Sequence, residues 1–216
     1  MKLYNSLGPN PRLVRMFMTE KGISLPTVDV DIMAGENRRP PYNERNPSGE
    51  LPSLELDDGT LLAETVAICE YLEELHPEPA LIGATPEERA RTRMWIRRVE
   101  YRITNPLTDG FRYAEGRKMF ERRRHLIPQA ADDLKAIARE GLAWLDRLMQ
   151  GRTFVAGDRI TLADVLLYVF LDFGAGVGQA VDPALGNIKT WLDRMASRPS
   201  AEASLHPVAK AGGMRA

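Results

Sequence analysis

The sequence is poor in the residues that build metal centres and disulfide frameworks. Its 216 residues include one cysteine, Cys69, and three scattered histidines, His76, His125 and His206. A single cysteine excludes an internal disulfide and an all-cysteine zinc site, and the dispersed histidines argue against a histidine-rich metal site. We therefore expect no metal. Cys69 falls on the apolar stripe of a predicted helix, which favours buried packing over a redox role.

The chain also lacks a long apolar run and an excess of charge of either sign. No stretch approaches eighteen consecutive apolar residues, and no apolar secretion-signal segment follows the opening MKLY. The formal net charge is −1 at pH 7, from 29 basic and 30 acidic residues. These features predict a cytoplasmic protein. They argue against a membrane protein and, despite the arginine-rich stretches RARTRMWIRR and RKMFERRRH, against a nucleic-acid-binding protein.

What is present in residues 1–76 is an alternation of strand and helix patterns, which is typical of a small α/β unit. Residues 2–4 and 26–30 read as strands, and a helical stripe between them ends at Gly22. RRPPYNERN predicts one or two irregular helical turns, and PSLELDDGTLLA predicts two strands joined by an Asp-Gly turn. A helix then begins at Thr65. Its apolar stripe is Val66, Cys69, Leu72 and Leu75.

The chain beyond residue 85 is predicted to be helical throughout. Thr85 and Glu88 form a capping box around Pro86, and this box follows a connector rich in proline. Thr161 and Asp164 form a second box before an apolar run, so we interpret Asp164 as a folding residue rather than a catalytic acid. Two apolar stripes stand between the boxes. They are Trp95, Val99 and Ile103, and Leu134, Ile137, Gly141, Leu145 and Leu148.

The segment NPSGELPSLELDDGTLLAET, residues 46–65, carries the most specific pattern: a residue-proline pair opens a strand, a turn follows, and an acid-hydroxyl pair opens a helix. It resembles the glutathione-binding motif of the cytosolic glutathione transferases, and AGDRITLADV resembles the capping motif of their helical domain. The resemblance extends over nearly the whole chain. It implies an α/β thioredoxin-like glutathione-binding domain at residues 1–80, an all-α helical bundle domain at residues 86–216, and a homodimer.

The resemblance also implies a cis bond between Leu51 and Pro52, with the Leu51 main chain free to pair with an extended peptide. Thr65, at the start of a helix, offers its hydroxyl and nearby amides to a carboxylate. Glu64 offers a negative partner to an ammonium. Together Glu64 and Thr65 match the amino-acid end of a γ-glutamyl group. Taken alone, a proline at a strand start or a threonine at a helix start is more often structural.

The glycine carboxylate of glutathione requires a cation at the other end of such a site. Arg38 is the first choice, because arginine binds carboxylates through two parallel hydrogen bonds. Asn37, Arg39 and Glu50 complete the predicted glutathione-binding set with the residues named above. Paired arginines also occur commonly on solvated faces, and that alternative stays open for Arg38 and Arg39.

The loop after the first strand departs from the family pattern, which places a Tyr, Ser or Cys there to activate the thiol. Gly8 stands where the serine-type pattern Ser-Pro-Asn-x-Arg-x-Val has its serine. The loop resembles that of atypical fungal and bacterial transferases with Gly-Pro-x-Pro and no conventional activator. Three candidates remain: Asn10 as N-cap with Pro11 at the first helical position, Ser6, and the charge of Arg112. For Asn10 the alternative is a helix cap only, and for Ser6 it is a turn residue.

A pocket for the second substrate is predicted between this loop and the helical domain. Its predicted lining is Leu7, Tyr101, Leu107, Phe111 and Tyr113, although aromatic residues at helical spacing are more often core. The resemblance implies attack of glutathione, as co-substrate, on a small hydrophobic electrophile to give a thioether, a detoxification reaction. The alternatives are glutathione-dependent reduction of peroxides or disulfides, and a non-catalytic glutathione-binding ligand carrier.

Overall fold

The computed structural model describes residues 1–211. The chain separates into two compact units, one formed by residues 1–84 with the chain from Arg198 onward, and the other by residues 85–197. The sequence-based division placed everything after residue 86 in the helical domain, so the two divisions differ in the last segment. Among the described residues, none of the helices combines the length and apolar content needed to span a bilayer.

The first unit is built on a four-stranded mixed sheet. The strands β1 (Lys2–Asn5), β2 (Thr27–Asp29), β3 (Ser53–Glu55) and β4 (Leu61–Leu62) lie in the order β2-β1-β3-β4. β1 runs parallel to β2 and antiparallel to β3, so Leu3 lies opposite both Thr27 and Leu54. The parallel pair requires a crossover, which the helix α1 (Pro9–Lys21) provides. β3 and β4 form the predicted hairpin around Gly59.

Residues 1–84 of this unit also contain two further helices and a 3-10 turn. They are the turn Glu36–Arg38, α2 (Tyr42–Arg45) and α3 (Thr65–Leu75). Cys69 is fully buried, as predicted, and burial raises the pKa of its thiol. Leu75, however, is 47% exposed, so its placement on the buried stripe was wrong. The buried face of α3 turns instead toward Glu73, whose carboxylate binds Lys21 Nζ at 2.6 Å and the Ile82 amide at 2.7 Å.

The segment from Arg198 belongs to the first unit because polar side chains of α1 hold it. It contains α10 (Pro199–Ala203) and α11 (Pro207–Ala211). Arg198 donates from Nε and Nη2 to the two carboxylate oxygens of Glu20, each at 2.6 Å, and Ser200 Oγ donates to the same carboxylate. Burial acts most strongly on the pKa of Glu20 and raises it, but the bonds from Arg198 and Ser200 outweigh burial and lower it.

The second unit is entirely helical, and the predicted class, a thioredoxin-like α/β domain followed by a helical domain, is confirmed. Every residue of α8 from Leu162 to Leu171 is buried. The stripe Trp95, Val99 and Ile103 is also buried, as predicted. The helices are α4 (Pro86–Val99), α5 (Asn105–Tyr113), α6 (Arg117–Phe120), α7 (Ala131–Leu148), α8 (Leu162–Gly176) and α9 (Gly186–Ala196), with a π turn at Glu100–Thr104 and a 3-10 turn at Pro128–Ala130.

The helix α7 does not bury the whole stripe predicted for it. Ile137 is 46% and Leu148 is 36% exposed, so their assignment to the core was wrong. The reason is a close approach at Gly141, where a Cβ would lie 2.3 Å from the carbonyl oxygen of Arg102. That contact turns the small side of α7 toward the π turn. The residues of α7 that are buried are Ala131, Ala138, Gly141, Leu142 and Leu145.

Both predicted capping boxes are present. In the second, Asp164 Oδ2 accepts from the N–H of Thr161 at 2.9 Å, while Oδ1 accepts from the N–H of Val155 at 2.8 Å and from Trp191 Nε1 at 2.9 Å. Burial raises the pKa of Asp164. With its oxygens bound to the fold, Asp164 has the structural role that the sequence indicated.

Candidate active site

The entry to β3 presents main-chain groups that the protein itself does not use. The Leu51–Pro52 peptide bond is cis, as the resemblance implied. Within the described chain, neither the N–H nor the C=O of Leu51 makes a hydrogen bond to protein. The preceding carbonyl, that of Glu50, accepts from Tyr42 Oη and from Asn46 Nδ2, each at 2.8 Å. Hydrogen bonds therefore hold the loop at Glu50, while the N–H and C=O of Leu51 stay available for pairing with an added peptide strand.

The helix α3 opens at the same end of this hairpin. The register of β3 and β4 pairs Leu54 with Leu62. Because the two strands are antiparallel, the chain that enters β3 and the chain that leaves β4 for α3 lie at the same end of the hairpin. The entry to β3 and the start of α3 therefore form one candidate site.

The start of α3 leaves several donors free. Glu64 is the N-cap, has φ 70° and ψ 119°, and its carbonyl accepts from the N–H of Ile68 at 3.0 Å. The first-turn amides of Thr65, Val66 and Ala67 have no acceptor within the helix, and no side chain caps this end. The backbone conformation of Glu64 is rare for a residue with a side chain. Free amides with a nearby acid suit an amino-acid head group.

Arg38, the predicted cation, is already paired. Its Nη2 donates to Glu50 Oε1 and its Nη1 to the carbonyl of Ser48, each at 2.7 Å. The neighbouring Asn37 is buried and donates from Nδ2 to the carbonyl of Gly49 at 2.6 Å. A Cβ at Gly49 would lie 2.8 Å from the Asn37 carbonyl oxygen, so this close approach requires glycine. The structure thus joins Asn37, Arg38 and Glu50 in one bonded group leading into Leu51.

Arg39 is held differently. Its Nη2 donates to the carbonyl of Ala34 at 2.7 Å, and it lines a cavity of about 480 Å³. The other predicted glutathione-binding residues do not line this cavity. Its walls include Tyr4 and Arg45, which both bind Glu55 and, through hydrogen bonds from Arg45 first and Tyr4 next, lower the pKa of that carboxyl to about 2. This cavity is distinct from the opening at Leu51.

The loop after β1 corrects the predicted start of α1. The helix begins at Pro9 with Gly8 as its N-cap, so the assignment of Asn10 as N-cap and Pro11 as first helical residue was wrong. The N–H of Arg12 donates to the Gly8 carbonyl at 3.2 Å, which closes the first turn two residues earlier than predicted. Because Pro9 and Pro11 have no N–H, Asn10 supplies the main-chain donor of that first turn.

Ser6 and Gly8 do not bring a hydroxyl to this loop opening. Ser6 is buried, and its Oγ donates to the carbonyl of Val30 at 2.6 Å, which uses its single proton. Gly8, at the position where the resemblance implies a serine, has φ 113° and ψ 166°. This region is essentially restricted to glycine. The missing hydroxyl is therefore tied to a backbone conformation that a serine adopts only with strain.

Arg112, the third activation candidate, lies on α5 in the second unit. Its Nη1 donates to Asp109 Oδ1 at 2.9 Å, and its guanidinium lies 5.5 Å from the centre of the Phe120 ring. These contacts hold the side chain against its own helix and the following turn. Because Asp109 compensates the charge of Arg112, these contacts favour a structural role for Arg112 over thiol activation.

The residues predicted to line a hydrophobic pocket have differing surroundings. Tyr101 is 63% exposed, and its ring centre lies 4.2 Å from the Arg97 guanidinium, whereas Leu107 is buried in the helical unit. Phe111 is half-buried in an aromatic cluster, with ring centres 5.2 Å from Phe173 and 6.3 Å from Phe120. Leu7, in the first unit, and Tyr113, in the second, are half-buried.

Comparison with known proteins identifies the family. The model "Glutathione S-transferase, N-terminal domain" matches residues 3–80, and "Glutathione S-transferase, C-terminal domain" matches residues 116–199. Glutathione S-transferase 2 of Saccharomyces cerevisiae is 33% identical over 89% of this chain and 84% of its own length. The chain belongs to the glutathione S-transferase family. It is therefore an enzyme of the glutathione transferase class, whose co-substrate is glutathione.

A solved structure and a second relative refine this placement. The crystal structure of Gtt2 from Saccharomyces cerevisiae has a TM-score of 0.88 and 33% identity, covering 95% of this glutathione transferase and 100% of that chain. Maleylacetoacetate isomerase of Pseudomonas aeruginosa is also 33% identical, over 93% of each chain. Relatives of equal identity thus carry different named activities, so the reaction has to be argued from the site.

The sequence did not indicate the residues that hold the loop before Leu51 at the candidate site. Tyr42 and Asn46, which hold the Glu50 carbonyl, stood in a stretch interpreted only as irregular helical turns. Burial raises the pKa of Tyr42, which keeps its hydroxyl a hydrogen-bond donor at neutral pH. The available signal was Tyr42, an aromatic residue at the start of a short helix shortly before the predicted strand.

In residues 1–211, no cluster of His, Cys, Asp and Glu has an arrangement suited to a metal ion.

Proposed function

We propose that this protein conjugates reduced glutathione to a small hydrophobic electrophile, with residues 1–80 as the glutathione-binding domain and residues 86–216 as the helical domain. The observation that carries the proposal is the unpaired main chain of Leu51 at the same end of the hairpin as the open start of α3. In accord with the family, we further propose a cytoplasmic homodimer. The related yeast transferase supports conjugation over the alternative roles.

In the proposed complex, glutathione lies as a short added strand along Leu51. The cysteinyl N–H and C=O pair with the C=O and N–H of Leu51, in the manner of β-augmentation. The γ-glutamyl carboxylate takes the amides at the start of α3 and the Thr65 hydroxyl, and the γ-glutamyl ammonium pairs with Glu64. Pro52 fixes the backbone that follows Leu51. Each part uses a group that the protein leaves free.

The glycine carboxylate then faces the group around Arg38. The glycine carboxylate would accept hydrogen bonds from the N–H edge of the Arg38 guanidinium and replace Glu50 there. Asn37 and Arg39 are its neighbours in sequence. The pair of Arg38 and Glu50 is partly exposed, with 34% and 53% of the side chains accessible. Exposed pairs of this kind contribute about 0.2–1 kcal/mol, so the exchange costs little.

Activation of the thiol is the weaker half of the proposed site, and we propose that the loop is of the atypical Gly-Pro-x-Pro type. A helix N-terminus stabilises an adjacent anion by about 0.3–1 kcal/mol, which lowers a thiol pKa of about 8.5 by roughly 0.2–0.7 units. Asn10 supplies the main-chain donor of that turn. Ser6 and Arg112 remain predictions, and their contacts with Val30 and Asp109 support structural roles.

The reaction forms one carbon–sulfur bond. With an aryl halide, the thiolate attacks the ring carbon, the halide leaves with the bonding electron pair, and the thiol proton passes to solvent. The proposed contacts of the hydrophobic second substrate in the helical unit are the half-buried Phe111 and Tyr113, and Leu7, Tyr101 and Leu107 stay predictions. Because activation is modest, we expect slow turnover that rises with pH toward the thiol pKa.

Calorimetric titration with glutathione, followed by an aryl-halide conjugation assay, tests the proposal. Glu64→Gln and Thr65→Val should each raise the KM for glutathione about tenfold, the loss of about 1.4 kcal/mol of binding. Glu74→Gln, an exposed acid on the same helix, is the matched control and should change nothing. Absence of binding heat with millimolar glutathione, or equal effects of all three variants, would contradict the proposal.

Two further assays separate the proposed reaction from its rivals. Steady turnover of an organic hydroperoxide without aryl-halide conjugation would replace conjugation by peroxide reduction. Ultraviolet titration of bound glutathione follows the thiolate directly, and we expect thiolate to form below pH 8.5. No thiolate below pH 8, together with no turnover of either substrate, would identify a ligand carrier.

A further inference from the structure

Arg15 on α1 joins three parts of the first unit that are far apart in sequence. Its Nη1 donates to Asn5 Oδ1 at 2.5 Å and to the Ser6 carbonyl at 3.0 Å. Its Nε donates to the carbonyl of Ser204 at 2.8 Å. One guanidinium therefore connects α1, the loop that leaves β1 and the C-terminal segment.

The oxygens that accept hydrogen bonds from Arg15 are neutral, and the nearby Asp29 carboxylate acts on it only through its charge. Its hydrogen-bond acceptors are an amide oxygen and two main-chain carbonyls. Burial first, and the charge of Arg12 next, lower the pKa of Arg15 to about 10. Arg198, in contrast, binds the same helix through the carboxylate of Glu20. Burial of this cation is offset by contacts that all lead to the loop after β1 or to the C-terminal segment.

The contacts of Arg15 fall on the part of the loop that directs the start of α1. Asn5 is also held by β2, since its Nδ2 donates to Asp29 Oδ1 at 2.7 Å and its carbonyl accepts from the N–H of Val30 at 2.9 Å. Only two residues separate this anchored pair, Asn5 and Ser6, from Pro9. The direction in which α1 begins therefore depends on how firmly Asn5 and Ser6 are held.

We propose that Arg15 is a positioning residue that fixes the loop at residues 5–8 between β2 and the C-terminal segment, so that the start of α1 faces the reacting thiol. The inference rests on the proposed glutathione site. It assigns to Arg15 an effect on turnover through loop geometry, with no contact to substrate. The Ser204 carbonyl accepts from the other side of the guanidinium, so Arg15 links the loop to the C-terminal segment.

The planar fork of arginine is what the arrangement uses. Arg15 meets Asn5, Ser6 and Ser204 from two nitrogen atoms in fixed directions, whereas a lysine ammonium is a single point of donation. Arg15→Lys therefore keeps the charge and loses the simultaneous contacts. Arg198→Gln is the matched control, because it removes two bonds between the C-terminal segment and α1, while Arg12 still holds Ser204 and the Ala201 carbonyl in place.

The experiment measures loop exchange, turnover and stability in the full chain. For Arg15→Lys we expect faster amide hydrogen exchange, by at least tenfold, at Val30 and Arg12, whose N–H groups donate to the Asn5 and Gly8 carbonyls. We also expect kcat to fall about tenfold with the KM for glutathione within threefold. For Arg198→Gln we expect a lower Tm, with kcat and loop exchange within twofold of the parent. Asn5→Ala removes the loop acceptor instead of the donor and should reproduce the faster exchange if Arg15→Lys folds poorly.

Two results would overturn the inference. One is unchanged loop exchange in both Arg15→Lys and Asn5→Ala, and the other is an equal loss of kcat in Arg198→Gln and Arg15→Lys. The exchange measurement needs no glutathione. A parent protein that does not bind glutathione would therefore refute the proposed function, while the loop result would still decide whether Arg15 positions residues 5–8.

Discussion

Two helices of the first unit, α1 and α3, both begin after a residue with positive φ, and they differ in what that residue is. Gly8 precedes α1 with φ 113°, and Glu64 precedes α3 with φ 70°. The start of α1 carries Pro9 and Pro11 and so keeps one first-turn amide, whereas the start of α3 keeps three. One start has few donors and no strained side chain, and the other has many donors and a strained acid.

The difference between the two helix starts assigns separate roles in the proposed site, binding of glutathione at α3 and activation of its thiol at α1. A glutamate is retained at a conformation that glycine adopts freely, which is a sign of strain kept for a functional side chain. The glycine at α1 meets its conformational demand without any side chain, so in the proposed site Gly8 offers the thiol no hydroxyl. In the proposed site the start of α3, which binds glutathione, is therefore well supplied with polar groups. Activation of the thiol depends on the start of α1 and on the placement of the loop before it.

The largest effect is expected from Gly8→Ala. Its φ and ψ lie where residues with a Cβ are rare, and we expect a loss of about 1–3 kcal/mol in unfolding free energy together with at least a tenfold lower kcat. Gly22→Ala at the other end of α1 is the control, because its φ of 66° is also positive and space around it is open. That variant should lose stability and keep its activity per folded molecule. Full activity in Gly8→Ala would contradict the role given to the Gly8 conformation at the start of α1.

Glu64→Gly should produce an opposite pair of changes. Relief of the positive φ is expected to raise the unfolding free energy by up to about 1 kcal/mol, while loss of the carboxylate raises the dissociation constant for glutathione about tenfold. Glu64→Gln separates the two effects, since it keeps the strain and removes the charge. Thermal unfolding and calorimetry give both quantities. A Glu64→Gly protein that is less stable than the parent would show that the conformation is not strained.

Glu50→Gln sharpens the account of the binding end. The substitution removes the carboxylate that occupies Arg38, so the glycine carboxylate no longer competes for the guanidinium. The exposed pair is worth about 0.2–1 kcal/mol, and the KM for glutathione should fall by up to about fivefold. Steady-state kinetics measure it, with Glu44→Gln as an exposed control. A higher KM would place the glycine carboxylate elsewhere.

The smallest effect is expected from Pro11→Ala, which adds an amide to the first turn of α1. One more donor near the sulfur should lower the pKa of the bound thiol by roughly 0.2–0.7 units. Ultraviolet titration detects the thiolate, and Pro77→Ala, in an exposed loop, controls for the loss of a proline. A thiol pKa that does not move would remove the α1 start from the activation of glutathione.

The parts of the fold predicted from the sequence are those fixed by neighbours along the chain. The Asp-Gly hairpin and both capping boxes involve residues within a few positions of one another, and all three are present. The start of α1 was misplaced because a proline fits the first helical position at either Pro9 or Pro11. The positive φ of Gly8 decides that the helix begins at Pro9, and a backbone angle cannot be deduced from the amino-acid composition of the loop.

The remaining differences come from contacts between distant segments. The partner of Arg38 stands twelve positions along the chain at Glu50, and that of Arg15 at Ser204. No local pattern indicates such pairs. The buried face of α7 was likewise set by the approach of Gly141 to the Arg102 carbonyl rather than by its apolar period. The motif located the candidate site, and tertiary contacts decided which of its groups are free.

The most direct test of the central claim is amide hydrogen exchange of the whole protein with and without saturating glutathione. The account predicts that Leu51 and the first-turn amides Thr65 to Ala67 exchange at least tenfold more slowly in the complex, because the tripeptide takes these donors. Unchanged exchange at Leu51 and at the start of α3, under conditions where calorimetry shows glutathione bound, would contradict it.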